Sequence, residues 1–330
     1  MAYKNPGYQL ILNASVDSFT TDTGINIRRW INPLIRKVLH LICKQKIICE
    51  KYPMLKKNTP YIFCPTHLFT EDIISSIATL DRQAYLLMGT TEQIIRNPQS
   101  YAAWVNGMIY VDRQDPKSRA DSCRKMERIL NSGSSVLLFP EGGWNNTENL
   151  LVQPLFAGPY KLAQTTGCQV VPISAFRSSD RKTIYTRVGE PISIAQLDKA
   201  AALDTLRDAM ATLMYENMSL HGERVSRAEL SAETDCRLNY MRTRRDEYLT
   251  VSWGRDVWEE ELAFYKDRRL AYPEDVRAQL EMIHINAGNA RIFAPVLALW
   301  EEDKKYNFKE FMHRTWNIEQ GSSASITYLI

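Results

Sequence analysis

The segment Tyr61-Ile62-Phe63-Cys64-Pro65-Thr66-His67-Leu68-Phe69-Thr70-Glu71-Asp72 decides how the chain is read. Its first four residues are apolar and stop at Pro65, which lacks the N–H that a central strand must donate, so a short buried strand ends there. From Asp72 onward the pattern is helical, which makes the segment a strand, a turn and a helix start. A histidine at the strand exit and an aspartate five positions later can act as a base and the group that orients it. Glu71 is a rival partner for His67 by proximity, and spacing alone leaves that choice open.

Outward from this segment the same alternation repeats. Residues 84–88, 108–111, 135–139, 169–176 and 183–188 are short apolar runs of strand length. Asp115-Pro116 starts a helix whose apolar positions are Ala120, Cys123, Met126, Ile129 and Leu130, and Gly133 ends it. Strands separated by helices predict an α/β fold, with a mixed, largely parallel sheet flanked by helices. Ligand sites in such sheets lie outside the carboxyl ends of the strands.

Composition narrows the functional class. With 45% hydrophobic and 24% charged residues in 330, the chain can bury a core and is neither disordered nor fibrous. The 41 lysines and arginines against 38 acids give a net charge of +3, too small to argue for nucleic acid. Six cysteines form no C-x-x-C pair, so they are expected to be small buried side chains in a reducing compartment, and no metal site is expected. The first residues lack the basic and apolar regions of a secretory signal, and no apolar run reaches the ~18 residues of a membrane span. The expected location is cytoplasmic, with any membrane contact made from the surface.

One segment suits such contact. Residues 24–51 carry Arg28, Arg29, Arg36, Lys37, Lys44, Lys46 and Lys51 against the single acid Glu50. Asn32-Pro33 reads as a helix start, after which Leu34, Ile35, Val38, Leu41 and Ile42 recur at helical spacing, with Trp30 just ahead. A basic amphipathic helix of this kind can lie in a membrane interface, or simply pack on the core with its charges solvated. Beyond residue 193 no strand is expected. Residues 204–220, 227–250, 253–269, 273–286 and 291–311 read as helices, so the chain divides into an N-terminal segment (1–24), an α/β domain (25–200) and a helical C-terminal region (201–330).

The polar residues at the strand exits come in a fixed order. After His67 and Asp72 comes Gly107-Met108-Ile109-Tyr110-Val111-Asp112-Arg113, then Phe139-Pro140-Glu141-Gly142-Gly143-Trp144-Asn145, then Val171-Pro172-Ile173. In these four blocks the chain resembles the lysophospholipid acyltransferase family, typified by the bacterial 1-acylglycerol-3-phosphate acyltransferases. Tyr110 stands where the family's second block has phenylalanine. The resemblance covers about residues 25–192, by the span of these elements.

What the resemblance implies is a glycerolipid acyltransferase-like fold and transfer of a fatty acyl group from acyl-CoA or acyl carrier protein to a lysolipid hydroxyl, with no cofactor. His67 would be the general base and Asp72 its orienter. Arg113, Glu141, Gly142, Trp144 and Asn145 would bind the acceptor, and membrane lipids would be the surrounding partners. The family's third block continues with threonine, arginine and serine, where this chain has Gly143, Trp144 and Asn145. The acceptor implied is a lysophosphatidate-like lysophospholipid or related lipid, but a phosphate-binding cation is here replaced by an indole, which makes a lysoglycolipid the alternative acceptor. A catalytically silent lipid-binding homologue is the alternative from another class. An α/β hydrolase is disfavoured, because no G-x-S-x-G elbow is present.

Overall fold

The structure, a computed structural model, describes residues 14–69, 71–89, 103–104, 107–113, 115–145, 151–178 and 180–221. The elements run α1 (Val16–Phe19), α2 (Asp22–Ile42), β1 (Lys46–Lys51), β2 (Tyr61–Pro65), α3 (Asp72–Thr79), β3 (Ala84–Gly89) and β4 (Ile109–Val111). They continue as α4 (Pro116–Asn131), β5 (Ser135–Leu138), α5 (Gly158–Thr166), β6 (Gln169–Arg177), β7 (Thr183–Val188) and α6 (Lys199–His221). Seven strands form one sheet in the order β1-β7-β6-β2-β5-β3-β4. Every neighbouring pair is parallel except β6 and β7, so the sheet is mixed and largely parallel, as the alternation predicts.

The pleat sorts the core into two layers. Ile62 and Cys64 of β2, with Val136, Leu138 and Val170, face Met126 and Ile129 of α4, Leu162 of α5, and Leu206, Met210 and Met214 of α6. Tyr61 and Phe63, with Leu137, Val171 and Ile173, face the other way, toward Leu55, Leu80 and the isoleucines Ile73 and Ile77 of α3. Because β2 is buried along its whole length on both faces, it reads as a continuous apolar run rather than an alternating one.

Four features differ from the sequence expectations. The helix expected to start at Pro33 begins eleven residues earlier at Asp22, capped by the Thr21 side chain, and Pro33 lies inside it. Buried Ile25 anchors the early turns, and Pro33 is solvent-exposed, where the carbonyl it leaves unbonded can be hydrated. β1 was hidden in the basic segment, because an edge strand that is mostly exposed carries charges rather than a hydrophobic run. The boundary expected at residue 200 falls inside α6, whose apolar face completes the sheet's core, and Phe19, upstream of the expected boundary at 24, is also buried in it. Among the described cysteines all five are free. Only Cys43 and Cys64 are buried, and Cys49 is exposed. The helices expected over 227–311, and Cys236, lie outside the described residues.

Candidate active site

The parallel strands β2, β5, β3 and β4 deliver their carboxyl ends to one edge of the sheet, and the chemistry collects there. β2 ends at Pro65 and leads to His67; β5 ends at Leu138 and leads to Phe139 through Asn145; β4 ends at Val111 and leads to Arg113. The turn into His67 is braced by the neighbouring strand. The Thr66 N–H donates to the Ile173 carbonyl at 3.0 Å, and the Ala175 N–H donates to the Thr66 hydroxyl at 3.2 Å. The Val171-Pro172-Ile173 block therefore acts as scaffold: it lies beside β2, in register with Phe63 to Pro65.

Asp72, not Glu71, partners His67. The Asp72 carboxylate is fully buried and lies 3.1 and 3.2 Å from the imidazole Nδ1. The backbone N–H groups of Leu68 and Phe69 also donate to Asp72 Oδ2, at 2.7 and 3.0 Å. A carboxylate already receiving two donors can only accept from a third group, so Nδ1 carries the proton and Nε2 is left with its lone pair. Glu71 is drawn away by Arg177, at 3.3 Å.

The remaining wall comes from the β5 exit. The Phe139 ring lies 4.3 Å from the imidazole, centroid to centroid, and the Trp144 indole stands edge-on to it at 5.9 Å. Together with Ile73, Leu86, Leu87, Met88, Gly89, Val111 and Arg113 these side chains line a cleft of about 200 Å³. The cleft is apolar on most of its surface, with the imidazole on one side and a guanidinium on the other.

Arg113 reaches this position because of two glycines. At Gly89, the last residue of β3, a Cβ would lie 2.6 Å from the Arg113 Nε, so only glycine lets the arginine fold across the strand end. Its guanidinium then donates to the Gly142 carbonyl. Gly142 has φ +74° and the Phe156 ring against its Cα, so a side chain there would be both strained and obstructed. Much of Arg113 is open to solvent; its head, folded over β3, is the desolvated part, and this lowers its pKa without removing its charge at neutral pH.

Glu141 and Asn145 point elsewhere. Glu141 is 1% exposed; its two oxygens accept from the His67 N–H and the Gln153 N–H, both at 2.8 Å. Asn145 is buried, donates its backbone N–H to the His67 carbonyl, and donates its amide to the Leu151 carbonyl at 3.3 Å. Neither side chain lines the cleft. Of the acceptor-binding set expected from the resemblance, Arg113 and Trp144 line the cleft, Gly142 accepts from the Arg113 guanidinium through its carbonyl, and Glu141 and Asn145 tie the loops after β2 and β5 together. Gly89, Phe139 and Gln153 are additional members of the site. Only Phe139 had a sequence signal, as the first residue of its block.

Residues 46–175 match the Acyltransferase family model. Two chloroplastic 1-acyl-sn-glycerol-3-phosphate acyltransferases are similar to this chain. The one from Brassica napus is 26% identical over 150 residues, covering 42% of this chain and 42% of its own length. The one from Arabidopsis thaliana is 25% identical over 154 residues, covering 43% and 42%. This chain thus spans less than half the length of the curated relatives it matches. Among solved structures, the 1-acyl-sn-glycerophosphate acyltransferase PlsC of Thermotoga maritima aligns with a TM-score of 0.41 at 14% identity, over 56% of this chain and 78% of its own. The span matched by the family model holds His67, Asp72, Arg113 and Glu141, and β7 and α6 lie beyond it.

Proposed function

We propose that the protein transfers a fatty acyl group from a thioester, acyl-CoA or acyl-carrier-protein, to the hydroxyl of a lysophospholipid. The observation that carries this reading is the His67–Asp72 pair opening onto an apolar cleft with Arg113 opposite. An alcohol is a poor nucleophile at neutral pH, and a positioned imidazole contributes about 10²- to 10⁴-fold. His67 Nε2 takes the hydroxyl proton as the oxygen attacks the thioester carbonyl. The tetrahedral intermediate collapses, the carbon–sulfur bond breaks, and the imidazolium returns its proton to the departing thiolate. Buried Asp72 holds the ring and its tautomer through both steps. Thiol release from a long-chain acyl-CoA or acyl carrier protein tests the reading. Release that rises with added lysophospholipid, with the esterified lipid as product, is the expected result; no acceptor-dependent release with either donor would overturn it.

The same reading places the enzyme on the surface of an anionic membrane. Among the described residues no helix is long and apolar enough to cross one. α2 nevertheless exposes a narrow stripe of Ile27, Trp30, Leu34, Val38 and Leu41, with Trp30 82% and Leu41 84% accessible. Lys37 lies on the face adjoining the stripe, while Arg29 and Arg36 lie on the far side of the helix, where Arg29 donates to the Ser134 hydroxyl. Apolar area to insert beside cations for acidic head groups is the chemistry of interfacial binding. Replacing Trp30 and Leu41 together by glutamate is expected to abolish sedimentation with vesicles of 30% phosphatidylglycerol, chosen as roughly the charge density of an acidic leaflet. Both side chains are exposed, so thermal stability should be unchanged. Undiminished sedimentation would remove α2 as the contact.

A further inference from the structure

The charges around the cleft select among lysophospholipids. Among the described residues that line it, the ionisable side chains are His67 and Arg113. His67 must be neutral to act as a base, which leaves one permanent cation. Behind the wall lie two buried carboxylates, Asp72 and Glu141, both bonded to the backbone of the loop that carries His67. A phosphate monoester carries about −1.5 to −2 charges at neutral pH and three acceptor oxygens. Among the described lining residues such a dianion would meet one guanidinium, already donating to the Gly142 carbonyl, with the Asp72 and Glu141 carboxylates held by the same loop as His67. A phosphodiester carries one charge and can be matched by Arg113 alone.

The rest of the cleft suits the group on the far side of that phosphate. The Trp144 indole is 46% exposed and stands beside the imidazole, offering an apolar face and edge at the rim. Phe156, packed over Gly142, exposes a second aromatic surface nearby. Aromatic faces of this kind hold the carbon skeleton of a polyol or sugar head group and give nothing to a second pair of anionic oxygens.

Building on the acyltransfer reading, we propose that the acceptor is a lysophospholipid whose phosphate is a monoanionic diester, its hydroxylated head group lying against Trp144. The unesterified lysophosphatidate is a poor acceptor. Neutral lysoglycolipids are poor acceptors too, because they leave the Arg113 guanidinium without an anion.

The test compares lysophosphatidylglycerol, lysophosphatidate and a lysogalactosyl glyceride in the same neutral detergent micelles, with one acyl-CoA and then acyl carrier protein as donor. The expected kcat/KM for lysophosphatidylglycerol exceeds that for each of the others by about tenfold or more, the worth of one well-placed charge-assisted hydrogen bond. Trp144→Arg supplies a second cation and is expected to raise the use of lysophosphatidate by a similar factor, while Trp144→Phe keeps the wild-type order. Equal or better use of lysophosphatidate by the wild type overturns the assignment, as does preference for the galactolipid. Both outcomes leave acyl transfer intact. Absence of thiol release with all three acceptors and both donors overturns acyl transfer itself, and this assignment with it.

Discussion

His67→Ala is expected to slow acyl transfer by about 10²- to 10⁴-fold, the usual contribution of a general base, while the protein stays folded. The two halves of this expectation have separate causes. The rate falls because Nε2 is the nitrogen left free at the cleft once Nδ1 is engaged by Asp72. The fold survives because Asp72 does not depend on the imidazole. Its carboxylate keeps the Leu68 and Phe69 N–H donors, so removing the ring does not strand a buried charge. The small void left beside Phe139 opens onto the cleft and can fill with water. Thiol release measured beside far-ultraviolet circular dichroism and a thermal melt checks both halves. Activity within a factor of about ten of wild type, far short of what a base contributes, would refute the base assignment. A lower melting point by itself would not.

The parts of this molecule legible in the sequence are those whose physics is local. The strand that ends at Pro65, the Asp115 cap with Pro116 after it, and the apolar runs of β3, β5, β6 and β7 each announce themselves through composition and spacing. His67 and Asp72 also lie on one short turn, so their partnership needed only the exclusion of Glu71, which long-range pairing with Arg177 supplies. What the sequence concealed depends on contacts between distant segments. Gly89 matters because Arg113, 24 positions later, folds back across it. β1 is a strand because β7, more than 130 residues away, offers it a parallel edge. Pro33 sits inside a helix because tertiary packing of Ile25 outweighs the usual meaning of Asn-Pro. Glu141 is the most instructive case. A glutamate followed by glycine at a strand exit suggests a carboxylate offered to a ligand, and only the fold shows it turned inward.

That inward turn sets the second large effect. Glu141→Ala removes the acceptor for two N–H groups, those of His67 and Gln153, on segments more than 80 residues apart. Each buried donor left without a partner costs about 1–3 kcal/mol, so the pair amounts to about 2–6 kcal/mol, a large share of the stability of an ordinary domain. Water can soften the loss at His67, which borders the cleft, but not readily at Gln153, which has no accessible surface and whose own side-chain oxygen already lacks a partner. Glu141→Gln is expected to fall between the wild type and alanine. Its amide oxygen still accepts from one of the two groups, and its NH₂ faces the other, donor to donor. The order wild type, glutamine, alanine should therefore appear in urea midpoints as well as in rate. In the glutamine variant the rate loss should fall on kcat, because the group displaced is the backbone that aims His67. If Glu141 instead bound the acceptor directly, glutamine would raise KM and leave the urea midpoint where it was.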